Sequence, residues 1–361
     1  MGNKGNKKKK LPPEKPIEKK PDEPNLPAIT PIRKIKATSL SLEIKVYSPF
    51  SKEIFEDVIA HPDLPNSIII AFRSGNISEI SGLAPPFKES LKTQNLYSFS
   101  RGVYSLILLK KNDKKLCAGL ENGIFILKLK MDGNHSLEKE SELSCQEEAK
   151  INSLLELENG NIISAGKNII LWKIDKLKKY TKVSSIQTPN SILRIVNLVE
   201  FPILNTIIAT QEESHNIYVL KNEEKSISLI KTKGDIPSIW YKGSAEKLTK
   251  NGMLLIGKFE INVIDANNGE KISRYPGIDK GCLLNFTQNY KDDYWIVTDF
   301  MGRYLEFYQQ DENDLIYLDK QELEENEYIG WFNRLVKIND ECFVSINHYA
   351  KIIAFKIDFK K

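Results

Sequence analysis

The sequence predicts an all-β fold, a seven-bladed β-propeller, and three observations carry that expectation. A strand–turn–strand unit recurs seven times: SIIIAFRSGNISEI, KLCAGLENGIFILKL, NIISAGKNIILWKI, TIIATQEESHNIYVL, GMLLIGKFEINVID, YWIVTDFMGRYLEF and CFVSINHYAKIIAFKI. Its second strand begins near Asn76, Ile124, Ile169, Ile217, Ile261, Arg303 and Lys351, at intervals of 42 to 48 residues. A fixed period of this length, with four short strands per repeat, is the pattern of propeller blades. The apolar residues fall in runs of four or alternate, and they are rich in Ile, Val and aromatics, which favours strands over helices. A further short apolar strand precedes every unit: DVIAHP, VYSLILL, INSLLEL, RIVNLVEF, IPSIWY, CLLNFT and RLVKI.

The elements follow in order. Residues 1–36 hold 7 of the 16 prolines, 11 Lys/Arg and 4 acids, and no aromatic residue. Such a segment buries too little apolar surface to offset its ordering entropy, so residues 1–37 are expected to be a disordered Lys/Pro-rich tail. The propeller is expected over 38–361. It opens at Leu40–Tyr47, where Leu40, Leu42, Ile44 and Val46 alternate with Ser41, Glu43, Lys45 and Tyr47. Runs such as Ile68-Ile69-Ile70 suit a strand packed on both faces. Asn122-Gly123 predicts a type I′ hairpin turn, and Asn159-Gly160 and Asn251-Gly252 mark other turns. The last unit ends after its third strand. Residues 40–47 are therefore expected to pair with 351–358 and remove two open edges together.

These units resemble the WD40 repeat family, over about residues 38–361. The resemblance is carried by AHPDLPNSIIIA, AGLENGIFIL and SAGKNIILWKID, with Trp172 at the position of the family's tryptophan. The repeats are degenerate: Lys173 stands where the family has Asp, no Gly-His dipeptide occurs, and most of the family's His–Asp–Ser–Trp network is missing. The resemblance implies closure by the N-terminal strand and ligand binding at one rim of the channel. It also implies work as a protein-interaction scaffold within a larger complex.

Catalytic patterns are missing from the sequence. Gly160–Asn168 has five residues between its glycines and ends in Asn rather than Ser or Thr, so it is not a phosphate loop. Phe72-Arg73-Ser74-Gly75 resembles the Phe-Arg-Arg-Gly phosphoinositide motif of some propellers but lacks the second arginine, and is read as hairpin chemistry. Cys117, Cys145, Cys282 and Cys342 show no metal-ligand spacing and are expected to be thiols in a reducing, cytoplasmic compartment. No enzyme activity, cofactor, metal or small-molecule substrate is expected, and the tail has no aromatic to stack on a nucleic-acid base.

Charge is distributed unevenly. The chain carries +4 in total, of which residues 1–36 hold +7, leaving −3 for the rest. The tail is read as an anionic-surface segment through Lys4, Lys7, Lys8, Lys9 and Lys10. Gly2 is a candidate for N-myristoylation, with Asn6 where the motif prefers Ser or Thr. An acyl chain and a polybasic run together would make a membrane-associated adaptor, and the cytoskeleton is the other anionic surface considered. Residues just before the innermost strands include Arg101, Lys150, Arg194, Lys280 and Trp331, with Arg334 close by. They are the candidate contacts for an acidic partner segment, with Trp331 as the aromatic anchor.

Overall fold

The computed structural model describes residues 33–34, 40–50, 53–112, 115–145, 150–188, 193–223, 225–234, 242–257, 260–276, 280–288, 292–299, 304–312, 314–322, 332–339, 341–347 and 351–359. Residues 33–34, 40–42, 257, 276, 280–288, 292–293, 299, 332–333 and 358–359 are described by their backbone alone.

Two strands precede the blades, β1 (Arg33–Lys34) and β2 (Leu40–Tyr47). Blade 1 is β3–β6 (Phe55–Ala60, Ser67–Phe72, Asn76–Ser81, Lys92–Ser98). Blade 2 is β7–β10 (Val103–Leu109, Lys115–Leu120, Gly123–Lys130, Ser136–Ser144). Blade 3 is β11–β14 (Ser153–Glu156, Ile162–Ala165, Asn168–Ile174, Tyr180–Gln187). Blade 4 is β15–β18 (Ile195–Phe201, Thr206–Gln211, Ile217–Glu223, Ser226–Lys233), with a 3-10 turn at Pro202–Leu204. Blade 5 is β19–β22 (Ala245–Lys247, Gly252–Gly257, Glu260–Asp265, Lys271–Pro276). Blade 6 is β23–β26 (Lys280–Gln288, Asp292–Asp299, Tyr304–Asp311, Asp314–Glu322). Blade 7 is β27–β29 (Phe332–Lys337, Cys342–Asn347, Ile352–Phe359) with β2 as its outer strand. The third strands begin within one residue of the positions read from the sequence.

Closure takes the expected form. β2 runs antiparallel to β29, from Leu40 opposite Phe359 to Tyr47 opposite Ile352, one residue from the expected register. The Tyr47 hydroxyl then donates to the Lys88 carbonyl (3.0 Å), tying blade 7 to blade 1. One feature departs from expectation. Arg33–Lys34, inside the segment expected to be disordered, lie parallel to Ile316–Tyr317 as a fifth strand on blade 6. The outer strand of a blade carries unpaired N–H and C=O groups, and an adjacent extended segment satisfies some of them. The rest of the expected tail, with Gly2 and its lysines, lies outside the described residues.

The core consists of seven apolar layers, one between each pair of neighbouring blades, including blades 7 and 1. Ile68 and Ile70 face blade 7 while Ile69 faces blade 2. Both sides of a central strand are thus buried, which accounts for its unbroken apolar run. The Asn122–Gly123 hairpin differs from the expected turn: β8 and β9 pair at Leu120 and Gly123, and only Asn122 (φ 63°) is left-handed. Gly123 opens β9, where a Cβ would sit 2.6 Å from the Leu143 carbonyl oxygen. Close backbone approach, rather than turn handedness, is what requires glycine there.

The outer strands of blades 1–6 each carry a β-bulge, leaving Leu96, Glu140, Val183, Ile230, Ile272 and Leu318 unopposed; its place is the same in blades 2–6 and two residues nearer the start of the third strand in blade 1. The strand supplied by β2 has none. No helix among the described residues is long and apolar enough to cross a membrane.

Candidate functional site

The seven innermost strands run in one direction around a central channel. They begin on one face, here the entry face, and end on the opposite exit face. Among the described rim candidates, Arg101, Lys150 and Arg194 precede innermost strands, Lys280 opens one and Arg334 lies near the start of another, so the topology brings them to the entry face.

At its centre is Asp57, 2% exposed, whose side chain follows the bulge at the start of β3. Its carboxylate accepts from the Val58 and Leu106 backbone N–H groups (both 2.9 Å) and from the Arg334 guanidinium. Lys242, just ahead of β19, reaches from blade 5 across the channel mouth. Its ammonium lies 3.7 Å from Asp57 Oδ2 and donates to the Glu56 carbonyl (3.4 Å) and the Tyr104 carbonyl. Burial alone would raise the Asp57 pKa; Arg334, Lys242 and the two N–H donors outweigh it and hold the carboxyl below its usual range. Desolvation moves Lys242 the other way, below the usual ammonium range, against the pull of Asp57 and Glu56.

A cavity of about 110 Å³ adjoins this cluster, with Asn152, Asn197 and Glu246 among its polar walls. Glu246 is solvent-accessible but ringed by protein, and that desolvation lifts its carboxyl above the usual range. Ligand pockets are typically about 300–1,000 Å³, so this space suits a few waters or one inserted side chain rather than a metabolite.

The polar residues that open the innermost strands also join neighbouring blades. Asp57 accepts from Leu106 of blade 2, and Ser105 Oγ donates to the Ile151 carbonyl leading into blade 3 (2.8 Å). Asn197 accepts from Gly243 N (2.7 Å) and donates to Ser244 Oγ (2.9 Å), both leading into blade 5. Hydrogen bonds buried this way fix the blade spacing around the mouth.

The predicted rim residues have different fates. Arg194 forms a two-pronged pair with Glu212 (2.5 Å on each arm), and Arg334 is committed to Asp57. The Lys150 ammonium lies over the Tyr104 ring at 4.8 Å. Arg101 is exposed, with no ion pair among the described residues. Lys280 opens β23 on the same face, described by backbone alone, and Trp331 lies outside the described residues. Arg73, of the Phe-Arg-Ser-Gly stretch, pairs with Glu56 (2.6 Å). Asp57 and Lys242 escaped the sequence reading. Asp57 sits in the polar phase of an alternating strand, and nothing local marks Lys242, whose partners lie 138 to 186 residues away.

Blade 3 keeps one link of the WD40 network: Trp172 Nε1 donates to Ser164 Oγ (2.8 Å), both side chains buried. No family model and no curated protein matches the chain. Among solved structures it is similar to the WD40 domain of Neurospora crassa Pan2, with a TM-score of 0.59 and 11% identity, over 91% of this chain and 100% of that one. The fold is a WD40 propeller. At 11% identity the likeness is one of fold.

Proposed function

We propose that this WD40 propeller is a non-catalytic scaffold that receives an acidic segment of a partner protein on its entry face. The observation that supports the reading is the ion cluster at the channel mouth: with Lys242, Asp57 and Arg334 held on one another, binding falls to the surrounding rim. There Arg101 and Lys150 offer positive charge, whereas Arg73 and Arg194 are matched by Glu56 and Glu212. Rim charges act chiefly on association rate and partner choice. The basic tail steers the propeller toward an anionic surface, a membrane in the acylated version and a cytoskeletal filament otherwise.

Affinity capture from cell extract, with mass spectrometry, compares the wild type with Arg101→Glu/Lys150→Glu. Loss of partners in the double variant, and salt-sensitive capture by the wild type, support the reading. An unchanged partner set excludes this face. The mass of the mature N-terminus decides the acyl version: retained Met1 or unmodified Gly2 removes it.

A further inference from the structure

The exit face carries a second candidate surface, on blades 3 and 4. Leu177 (77% exposed) and Ile203 (71%) are the two most exposed large apolar side chains among the described residues. Leu177 tips the β13–β14 turn and Ile203 the β15–β16 turn. Those are the third turn of one blade and the first turn of the next, so both lie on the exit face. Each is held outward by its own backbone. The Asp175 carboxylate accepts from Leu177 N and Lys179 N (both 2.8 Å), so its charge is spent inside the turn that presents Leu177. Ile203 sits in the 3-10 turn Pro202–Leu204, where Leu204 packs into the core and Asn205 turns left-handed (φ 49°).

Cations stand beside both tips. Lys176, Lys178 and Lys179 flank Leu177 and are exposed. Lys247, from blade 5, is exposed and lies 5.9 Å over the ring of Phe201, two residues from Ile203. The nearby acids are exposed Glu158 on the first turn of blade 3, Glu200 near the end of β15, whose carboxylate accepts from Glu158 N (2.8 Å), and exposed Glu223 at the end of β17. The chain's N-terminal arm joins on this face too, because Leu40 pairs with Phe359 at the exit end of β29. That arm carries the +7 of residues 1–36.

We propose that the exit face at blades 3 and 4 docks on an anionic lipid bilayer, with Leu177 and Ile203 entering the headgroup–acyl boundary and the surrounding lysines meeting lipid phosphate and carboxylate groups. These features favour a bilayer over a protein. The apolar groups are two separate protruding tips with exposed lysines beside them, which is the pattern of an interfacial contact. A cleft of about 980 Å³ on the exit face lies elsewhere, at blade 1 beside Pro85, Lys88 and His135. The anionic surface is shared with the tail reading, but the residues are not, so the two are separable.

The test uses the full chain and sedimented vesicles of phosphatidylcholine, with and without about 30% phosphatidylserine. Binding only to the phosphatidylserine vesicles is expected, and Leu177→Ser and Ile203→Ser should each weaken it about tenfold. Both sites are exposed, so these variants should keep the wild-type unfolding midpoint. Leu177→Trp should show blue-shifted emission with phosphatidylserine vesicles, quenched by brominated acyl chains, also when Lys7–Lys10 are replaced by Gln. Absence of vesicle binding overturns the inference. So does binding that Leu177→Ser/Ile203→Ser leaves unchanged, or an unshifted Leu177→Trp on bound protein; in those cases binding that Lys7–Lys10→Gln removes belongs to the tail alone.

Discussion

Asp57 shows how much one side chain can hold in this ring. It meets two backbone donors, an arginine from the last blade and a lysine from the fifth. Breaking a buried charge cluster by removing one member typically costs about 3–5 kcal/mol, because the others are left unmatched. Arg334 and Lys242 retain some solvent contact, so Asp57→Ala should cost about 3 kcal/mol, read as a lower urea midpoint at pH 7. Its carboxyl titrates below the usual range when folded. The stability that Asp57 confers is therefore complete above about pH 3.9 and is lost as pH falls through the folded value. His61 has the opposite chemistry and a higher window. Its Nδ1 accepts from Leu64 N (2.9 Å) and Asp63 N (3.2 Å), and desolvation keeps the ring neutral below its usual pKa, against Glu79 and Asp63. The unfolded chain then binds protons first, so stability should be level above about pH 6.5 and fall below it. Urea midpoints at pH 8 and 5.5 should differ less in His61→Asn, since Asn supplies the same acceptor without the charge. None of this was legible in the sequence. Asp57, Lys242 and Arg334 are far apart in the chain, and a charged residue in a loop reads the same whether it faces water or a partner.

Strands, by contrast, announced themselves. Alternation and apolar runs depend on neighbours two residues apart, and the blade period repeats that local signal seven times. What escaped were the bulges. An extra residue such as Val183 or Ile272 shifts the alternation by one, and the polar outer strands carry too few apolar residues to show the slip. Closure was legible because the last unit lacked an outer strand that Leu40–Tyr47 could supply. Tyr47 bears on both blades it joins: it is 6% exposed within the layer between blades 7 and 1, and its hydroxyl bonds to Lys88. Tyr47→Phe should cost about 1 kcal/mol and Tyr47→Ala about 3–4, and thermal melts of the pair separate the bond from the packing.

For the whole molecule, seven layers mean that no blade is terminal. An open array of repeats must end in capping units, whereas this ring replaces both caps with one strand pairing. A chain beginning at Ser48 would expose the edge of β29 as well as the flank of blade 1. It should melt lower than the full chain and elute as mixed oligomers, while a synthetic peptide of residues 38–48 added in excess should restore the monomer by mass action. The described entry-face candidates share one face because their place relative to the innermost strands is fixed by the repeat. Their pairing was not, because it depends on which acids the adjoining turns supply.

The N-terminal arm grips two blades in succession, Arg33–Lys34 on blade 6 and Leu40–Tyr47 on blade 7. Tension applied through the tail therefore meets these attachments one after the other, the two-residue clasp before the eight-residue seam. A load borne by the leading end would strip the clasp and lengthen the tether while the ring stayed shut, giving the junction a mechanical fuse.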